Sequence, residues 1–146
     1  MDEKNGENLI IGQHEQERIK MVHTTFTAYE QGNLQEFLTP FTDDVEWRVA
    51  MPEELPIGGT FHGLKGVQTF FENHKKMFDG VQDERFETVA QGNRVAVIGR
   101  ERAHIRPHNK IYEGDYITVF HFRGRKISKV SILADSAALL KAYRGE

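Results

Sequence analysis

Three groups of side chains in this sequence could move protons or hold a developing charge. The first is the acid pair Glu53 and Glu54, followed by His62, inside the stretch VEWRVAMPEELPIGGTFHG from Val45 to Gly63. The second is Arg102 and His104, two residues apart in a run with strand character, so both fall on one strand face. The third is Tyr112, Tyr116 and Thr118, whose even spacing also puts them on one strand face. Imidazole exchanges protons near neutral pH, guanidinium holds a carboxylate or oxyanion, and a phenol donates a hydrogen bond. These types suit acid/base chemistry on a small molecule. The other histidines have blander readings. His74 lies on the apolar face of a helical segment and reads as a core histidine, and His62 belongs to the turn before that segment. His121 falls on the strand face opposite Tyr116, while His14, His23 and His108 read as surface positions. The chain has no cysteine, which excludes disulfides and thiolate ligands, and its histidines and acids lack metal-site spacing. Neither a metal nor a cofactor is expected.

The elements that must position these groups follow from periodicity. The chain of 146 residues fits one domain, with a flexible tail expected over residues 1–14 and a single domain over 15–146. Ile19, Val22, Phe26 and Tyr29 recur at helical spacing from Glu15 to Gln31, and Gly32 stops that helix. Asn33 caps a short helix carrying Leu34, Phe37 and Leu38. A strand over Val45–Val49, a loop over Ala50–Thr60 and a helix over Gly63–Phe78 come next. Strands are then predicted over Phe86–Ala90, Val95–Ile105, Tyr112–Phe122 and Lys126–Leu133, and Asp135 caps a last helix. Short turns between these strands imply an antiparallel meander with helices on one face, an α+β domain. Both faces of Tyr112–Phe122 carry apolar residues. One face covers the helices; the other, with Ile117 and Val119, needs a partner, most simply a second copy of the chain.

Composition limits the partners. Hydrophobic residues make up 38%, charged residues 28%, and the formal net charge is -3, which gives no basic stripe for nucleic acid. The cluster Arg123, Arg125, Lys126 and Lys129 reads as a solvated hairpin turn. No apolar run approaches the roughly 20 residues of a membrane helix, and the acidic start MDEKNGENLIIGQHEQ lacks the pattern of a secretory signal. A cytoplasmic protein with no membrane or nucleic-acid partner is expected.

The order of elements resembles the nuclear transport factor 2-like superfamily, and within it the SnoaL-like and ketosteroid isomerase-like proteins. The resemblance runs from about Glu15 to Tyr143. It rests on YEQGNLQEFLTPFTDDVEW, on GGTFHGLKGVQTFF, and on DYITVFHFRGRKISKV followed by Asp135. It implies a cone: a curved antiparallel sheet with helices packed on its concave face and a pocket between them. It also implies a homodimer through the outer sheet face, where Ile117, Val119 and His121 fall. Members include steroid isomerases, epoxide hydrolases, polyketide cyclases, dehydratases and non-catalytic binders, so fold alone selects no activity. Matched residue by residue, the isomerases' aspartate base falls on Val49, their second acid on Thr118 and their tyrosine near Thr25. The hydrolases' tyrosine and asparagine fall on Trp47 and Val49, their arginine-x-aspartate on Arg102-Ala103-His104, and their last aspartate near Ile132. Neither a true ketosteroid isomerase nor an epoxide hydrolase is expected, and the cyclases' aspartate has no clear counterpart.

With the register that the resemblance implies, His104 is the expected proton carrier, Arg102 the anion stabiliser and Tyr116 a hydrogen-bond donor. Trp47, Val49, Phe26, Tyr29, Tyr112, Thr118 and Phe120 form the expected wall for a small hydrophobic ligand. The expected function is acid/base isomerisation, dehydration or cyclisation of a hydrophobic carbonyl compound. The alternative is a non-catalytic ligand-binding or protein-interaction dimer of the same fold. The Ala50–Thr60 loop should form the pocket rim. There Glu53 and Glu54 have two readings, a solvated loop stiffened by prolines or a base carried inward by loop closure.

Overall fold

Helical spacing of Val22, Thr25, Phe26 and Tyr29 winds the start of the domain into α1, Gln13–Glu30, in a computed structural model that describes residues 12–146. Residues 13 and 14 are thus helical rather than part of a tail, and residues 1–11 lie outside the described residues. Glu15 accepts from the Gly92 amide at 2.6 Å, and Arg18 donates to the Gly92 carbonyl at 2.8 Å. These bonds pin the start of α1 to a hairpin turn of the sheet. Gly32, at φ +71, ends the helix, and Asn33 caps α2, Leu34–Leu38, by accepting from the Glu36 amide.

The chain then forms β1 (Phe41–Val49), β2 (Gly59–His62), α3 (Gly63–Met77), β3 (Phe78–Gln91), β4 (Arg94–Ile105), β5 (Lys110–Arg123), β6 (Lys126–Ala134) and α4 (Ser136–Tyr143). Asp135 caps α4 through the Ala138 amide at 3.0 Å. The six strands form one sheet in the order β2-β1-β6-β5-β4-β3. The meander from β3 to β6 is antiparallel, whereas β1 runs parallel to β6.

Three elements differ from the sequence prediction, and the first is β1, which starts at Phe41, four residues before Val45. β2 is an unpredicted strand of four residues that pairs Phe61 with Trp47 and Gly59 with Val49. β3 starts eight residues earlier than Phe86, because it is hydrogen-bonded to β4 from Phe78 onward despite its polar sequence. It carries two irregularities, between Asp79 and Gln82 and between Arg85 and Glu87. Each gives β3 one more residue than its partner, which bends the strand and increases its twist. The second also reverses parity, so Asp83 and Arg85 on one side of it and Thr88 and Ala90 on the other are the more buried residues.

The core lies between the helices and the inner sheet face, with Val22, Phe37, Val67, Val95, Tyr112 and Ile127 almost fully enclosed. The rim loop after β1 is anchored, since Leu55 and Ile57 are buried and Asn73 donates to the Pro56 carbonyl. The outer sheet face is different. Val89, Ile117 and Leu133 stand 47%, 42% and 50% exposed there.

Candidate active site

The register of β4 against β5 decides which side chains meet inside the sheet. Tyr116 lies opposite Gly99, Gly114 opposite Glu101, and Tyr112 opposite Ala103. Residues directly opposite share a face, so the odd-numbered residues of β4 point inward with the even-numbered residues of β5. Arg102 and His104 therefore stand on the outer face, opposite Glu113 and Ile111. This corrects the expected inward placement of both: a one-residue difference in parity moves a strand's whole side-chain set across the sheet. Glu101, between Arg100 and Arg102, occupies the inner position instead.

A cavity of about 500 Å³ opens between α1, α3 and the inner sheet face. Phe26 and Tyr29 of α1, Trp47 and Val49 of β1, and Tyr116, Thr118 and Phe120 of β5 all line it. Tyr112 also faces inward, but it is packed edge-on against Phe78 in the core and does not line the cavity. Val49, at the position the resemblance gives to the isomerase base, is a buried wall residue with no titratable atom.

One wall is polar. The Tyr116 hydroxyl donates to Asp83 Oδ1 at 2.6 Å, and Arg85 donates to Asp83 Oδ2 at 3.0 Å and to Glu30 at 2.9 Å. Tyr116 is on β5 and Asp83 on β3, so the phenol must cross β4 between them. It does so over Gly99, where a Cβ would come within 2.7 Å of the Tyr116 hydroxyl and of the Glu84 carbonyl. The Arg85 guanidinium in turn lies 4.8 Å from the centre of the Phe26 ring.

Glu101 pairs across the strands with Asp83. Burial, and then the neighbouring Asp83 charge, raise its pKa from 4.5 to about 7. Burial also raises Asp83 above the usual aspartate value, but the Tyr116 and Arg85 hydrogen bonds oppose the shift. The two carboxyls are therefore unlike. Asp83 has partners that favour its anion, and Glu101 is the group that keeps a proton near neutrality. Tyr116 is pushed well above the ordinary tyrosine value, first by burial and then by its bond to Asp83, so it remains a donor.

A second wall is aromatic. Tyr29, Phe37, Trp47, Phe70 and His74 form a closed belt with successive ring centres 5.4, 5.9, 4.8, 5.7 and 5.1 Å apart. All of these residues line the cavity. His74 is stacked on Phe78, with ring centres 3.9 Å apart and planes 6° from parallel. Burial, with the nearby Lys75 charge, lowers its pKa from 6.5 to about 3, so it is a neutral imidazole. The Tyr29 hydroxyl and Trp47 Nε1 are buried without hydrogen-bond partners among the described residues. His74 is thus more than the core histidine predicted from the sequence, since it also forms part of the cavity wall.

The acids of the opening stretch are elsewhere. Glu54 forms a bidentate pair with Arg144 at 2.7 and 2.8 Å, which ties the rim loop to the end of α4 and holds the carboxylate below its ordinary range. Neither Glu53, Glu54 nor His62 lines the cavity. Asp83, Arg85, Glu101 and His74 were not selected as site residues from sequence. The signal available for Glu101 was the odd-numbered series Val95, Val97, Ala103 and Ile105, which marks the buried face of β4. Among the described residues, no group of three or more histidines or acids is placed to hold a metal ion, and no helix is long and apolar enough to cross a membrane.

The family model for the SnoaL-like domain matches residues 22–130. Several solved structures share the fold. A nuclear transport factor 2-like protein from Burkholderia xenovorans is 26% identical, with a TM-score of 0.79 over 88% of this chain and 97% of its own. A protein from Jannaschia described as a SnoaL-like polyketide cyclase is 12% identical, with a TM-score of 0.81 over 92% of this chain and 96% of its own. A protein of ketosteroid isomerase-like fold from Catenulispora acidiphila, in complex with trimethylamine, is 17% identical, with a TM-score of 0.71 over 85% of this chain and 92% of its own. No curated protein matches the sequence.

The two shifted groups act on stability with opposite sign. Glu101 has a raised folded pKa, so its contribution is complete below 4.5 and is lost as pH rises to about 7. His74 has a depressed folded pKa, so its contribution is complete above 6.5 and is lost as pH falls towards about 3. Glu101→Gln removes the first effect alone. Between pH 4.5 and 7.5, urea denaturation should show the variant gaining roughly 3 kcal/mol relative to the parent protein. Parallel stability curves would show that Glu101 titrates at its ordinary value.

Proposed function

The chain belongs to the SnoaL-like domain family, and within it we propose that this protein is an enzyme of acid/base type acting on a small, uncharged, hydrophobic carbonyl compound. The observation that carries this reading is the Glu101 carboxyl on the wall of the cavity, opposite Asp83 in the strand register and with its proton affinity raised towards neutral pH. A group that is half-protonated near its working pH can both take a proton and return it. Glu101 would remove a proton from carbon next to the carbonyl and deliver it to another carbon, to a leaving hydroxyl, or, in cyclisation, to the oxygen of the carbonyl that the new carbon–carbon bond attacks. Isomerisation, dehydration and aldol-type cyclisation all use that pair of transfers. Asp83 stays anionic between Tyr116 and Arg85, and its charge keeps the proton affinity of Glu101 high. In this reading the role expected for His104 passes to Glu101, and the one Tyr116 O–H, expected to serve as a donor in the pocket, is engaged with Asp83 instead. The Catenulispora relative with a bound small molecule supports ligand binding by this fold.

The rival reading, a ligand-binding protein without turnover, shares the cavity and differs only in whether Glu101 transfers a proton. Deuterium exchange separates the two. With 2-tetralone as probe in heavy water, NMR should show exchange at the carbon next to the carbonyl well above the buffer rate. Glu101→Gln should lower the catalysed rate by about a hundredfold or more. An unchanged rate in Glu101→Gln would remove Glu101 from the chemistry, and no exchange above buffer would leave the binding protein.

We also propose a homodimer through the outer sheet face. Val89, Ile117 and Leu133 expose an apolar strip there, and on strands this long a second sheet is a simple cover for it. Sedimentation at tens of micromolar should give a dimer, and Ile117→Asp should give a folded monomer. A parent protein that stays monomeric would contradict the proposal.

A further inference from the structure

The acid wall accounts for proton transfer and leaves the aromatic wall unexplained. That wall is built around His74. One face of its ring is covered by Phe78 at 3.9 Å, and Tyr29 and Phe70 meet it at 5.1 and 5.7 Å, so the imidazole is fixed as a plate. The ring stands on α3 and lines the cavity. Beside it, the Tyr29 hydroxyl and Trp47 Nε1 are donors without partners among the described residues. An indole N–H can only donate, whereas the Tyr29 hydroxyl and the neutral His74 ring can each donate as well as accept, so this wall can offer three donors. The Tyr29 and Trp47 donors are enclosed, so of the three it is the His74 ring, on the cavity wall, that can receive a ligand's acceptor.

The charge around the cavity narrows the acceptor further. Glu30, Asp83 and Glu101 all line it, and the Lys75 ammonium is engaged with the Tyr29 carbonyl at 3.1 Å and the Tyr29 ring at 5.0 Å. A carboxylate ligand would meet acids on one side and uncharged donors on the other. A neutral oxygen on a flat apolar body meets neither objection, and rings of that body can lie along the aromatic belt.

We propose that His74 is the residue that selects the substrate's carbonyl oxygen: its neutral imidazole donates to that oxygen at the aromatic wall, which turns the reacting carbons toward Glu101. The assignment rests on the reading of this cavity as the substrate site. It adds the orientation of the ligand and its class, a flat, uncharged ketone or quinone with no carboxylate.

The test is an equilibrium one and needs no turnover. Trp47 is the only tryptophan of the chain, so its fluorescence reports occupancy of the cavity. The probes are 9-fluorenone, fluorene, which lacks the oxygen, and fluorene-9-carboxylate. The parent protein should bind fluorenone about tenfold more tightly than fluorene, as one well-made hydrogen bond allows, and the carboxylate more weakly than either. His74→Phe keeps an aromatic plate and should bind fluorene within twofold of the parent while losing the preference for fluorenone. His74→Gln, which retains a donor, should recover part of it. In the parent protein itself, fluorenone but not fluorene should shift the His74 ring N–H in a nitrogen–proton correlation spectrum. Equal affinity for fluorenone and fluorene, no binding of either, a preference that survives in His74→Phe, or a ring signal that does not respond would each overturn the assignment. Glu101→Gln should keep the preference. A protein that selects the ketone without exchanging its protons would retain this inference and lose the catalytic one, and exchange without selection would do the reverse.

Discussion

The hydroxyl of Tyr116 reaches Asp83 across an intervening strand, and it can do so because residue 99 has no side chain. The rest of the polar wall depends on that contact. It fixes one oxygen of Asp83, and Arg85, braced by Glu30 and by the face of Phe26, fixes the other. An aspartate satisfied on both oxygens remains an anion even when burial works against it. Glu101 pairs with it across the strands and, among the described residues, receives no comparable set of hydrogen bonds. The proton that the two acids cannot both lose therefore resides on Glu101. A methyl group at position 99 would displace the phenol and, with it, the asymmetry between the acids.

The aromatic wall is the other half of this arrangement. It helps enclose the cavity, and burial is the larger cause of the Glu101 shift, ahead of the Asp83 charge. The same enclosure keeps His74 neutral. The cavity thus sets two titratable groups apart in opposite directions: an acid that holds its proton and a base that declines one. Together they confine the fixed charge to the side of Asp83 and Glu30 and leave the aromatic side uncharged, which suits a neutral ligand.

Much of the fold was legible because helices and meander strands carry their apolar residues at regular spacing, and because Asn33, Gly32 and Asp135 sit at helix ends for local reasons. β2 was not legible, since four residues between glycines carry no period. The first half of β3 was hidden for a different reason: its inward residues, Asp83 and Arg85, satisfy each other, so the alternation of apolar and polar residues that marks a half-buried strand is missing. The wall residues of α1, β1 and β5 came from the register that the resemblance implies, and all but Tyr112 line the cavity. β4 was assigned one residue out of phase because Arg102 and His104 matched a family motif, although Val95, Val97, Ala103 and Ile105 mark the buried face. Glu101 sits among Arg100 and Arg102 in a charged run that reads as solvated. Its environment comes from a bulged strand, a tyrosine two strands away and a glycine gap, none of which is local in sequence.

The central claim is that Glu101 holds a proton near neutral pH, and its own titration tests this most directly. Carbon-13 NMR of the side-chain carboxyl, with Glu101→Gln to assign the signal, should give an apparent midpoint of about 7. Tyr116→Phe, which takes a hydrogen bond from Asp83, should alter that midpoint through the coupled pair. A Glu101 carboxyl that titrates near 4.5, and does not respond to Tyr116→Phe, would contradict the account.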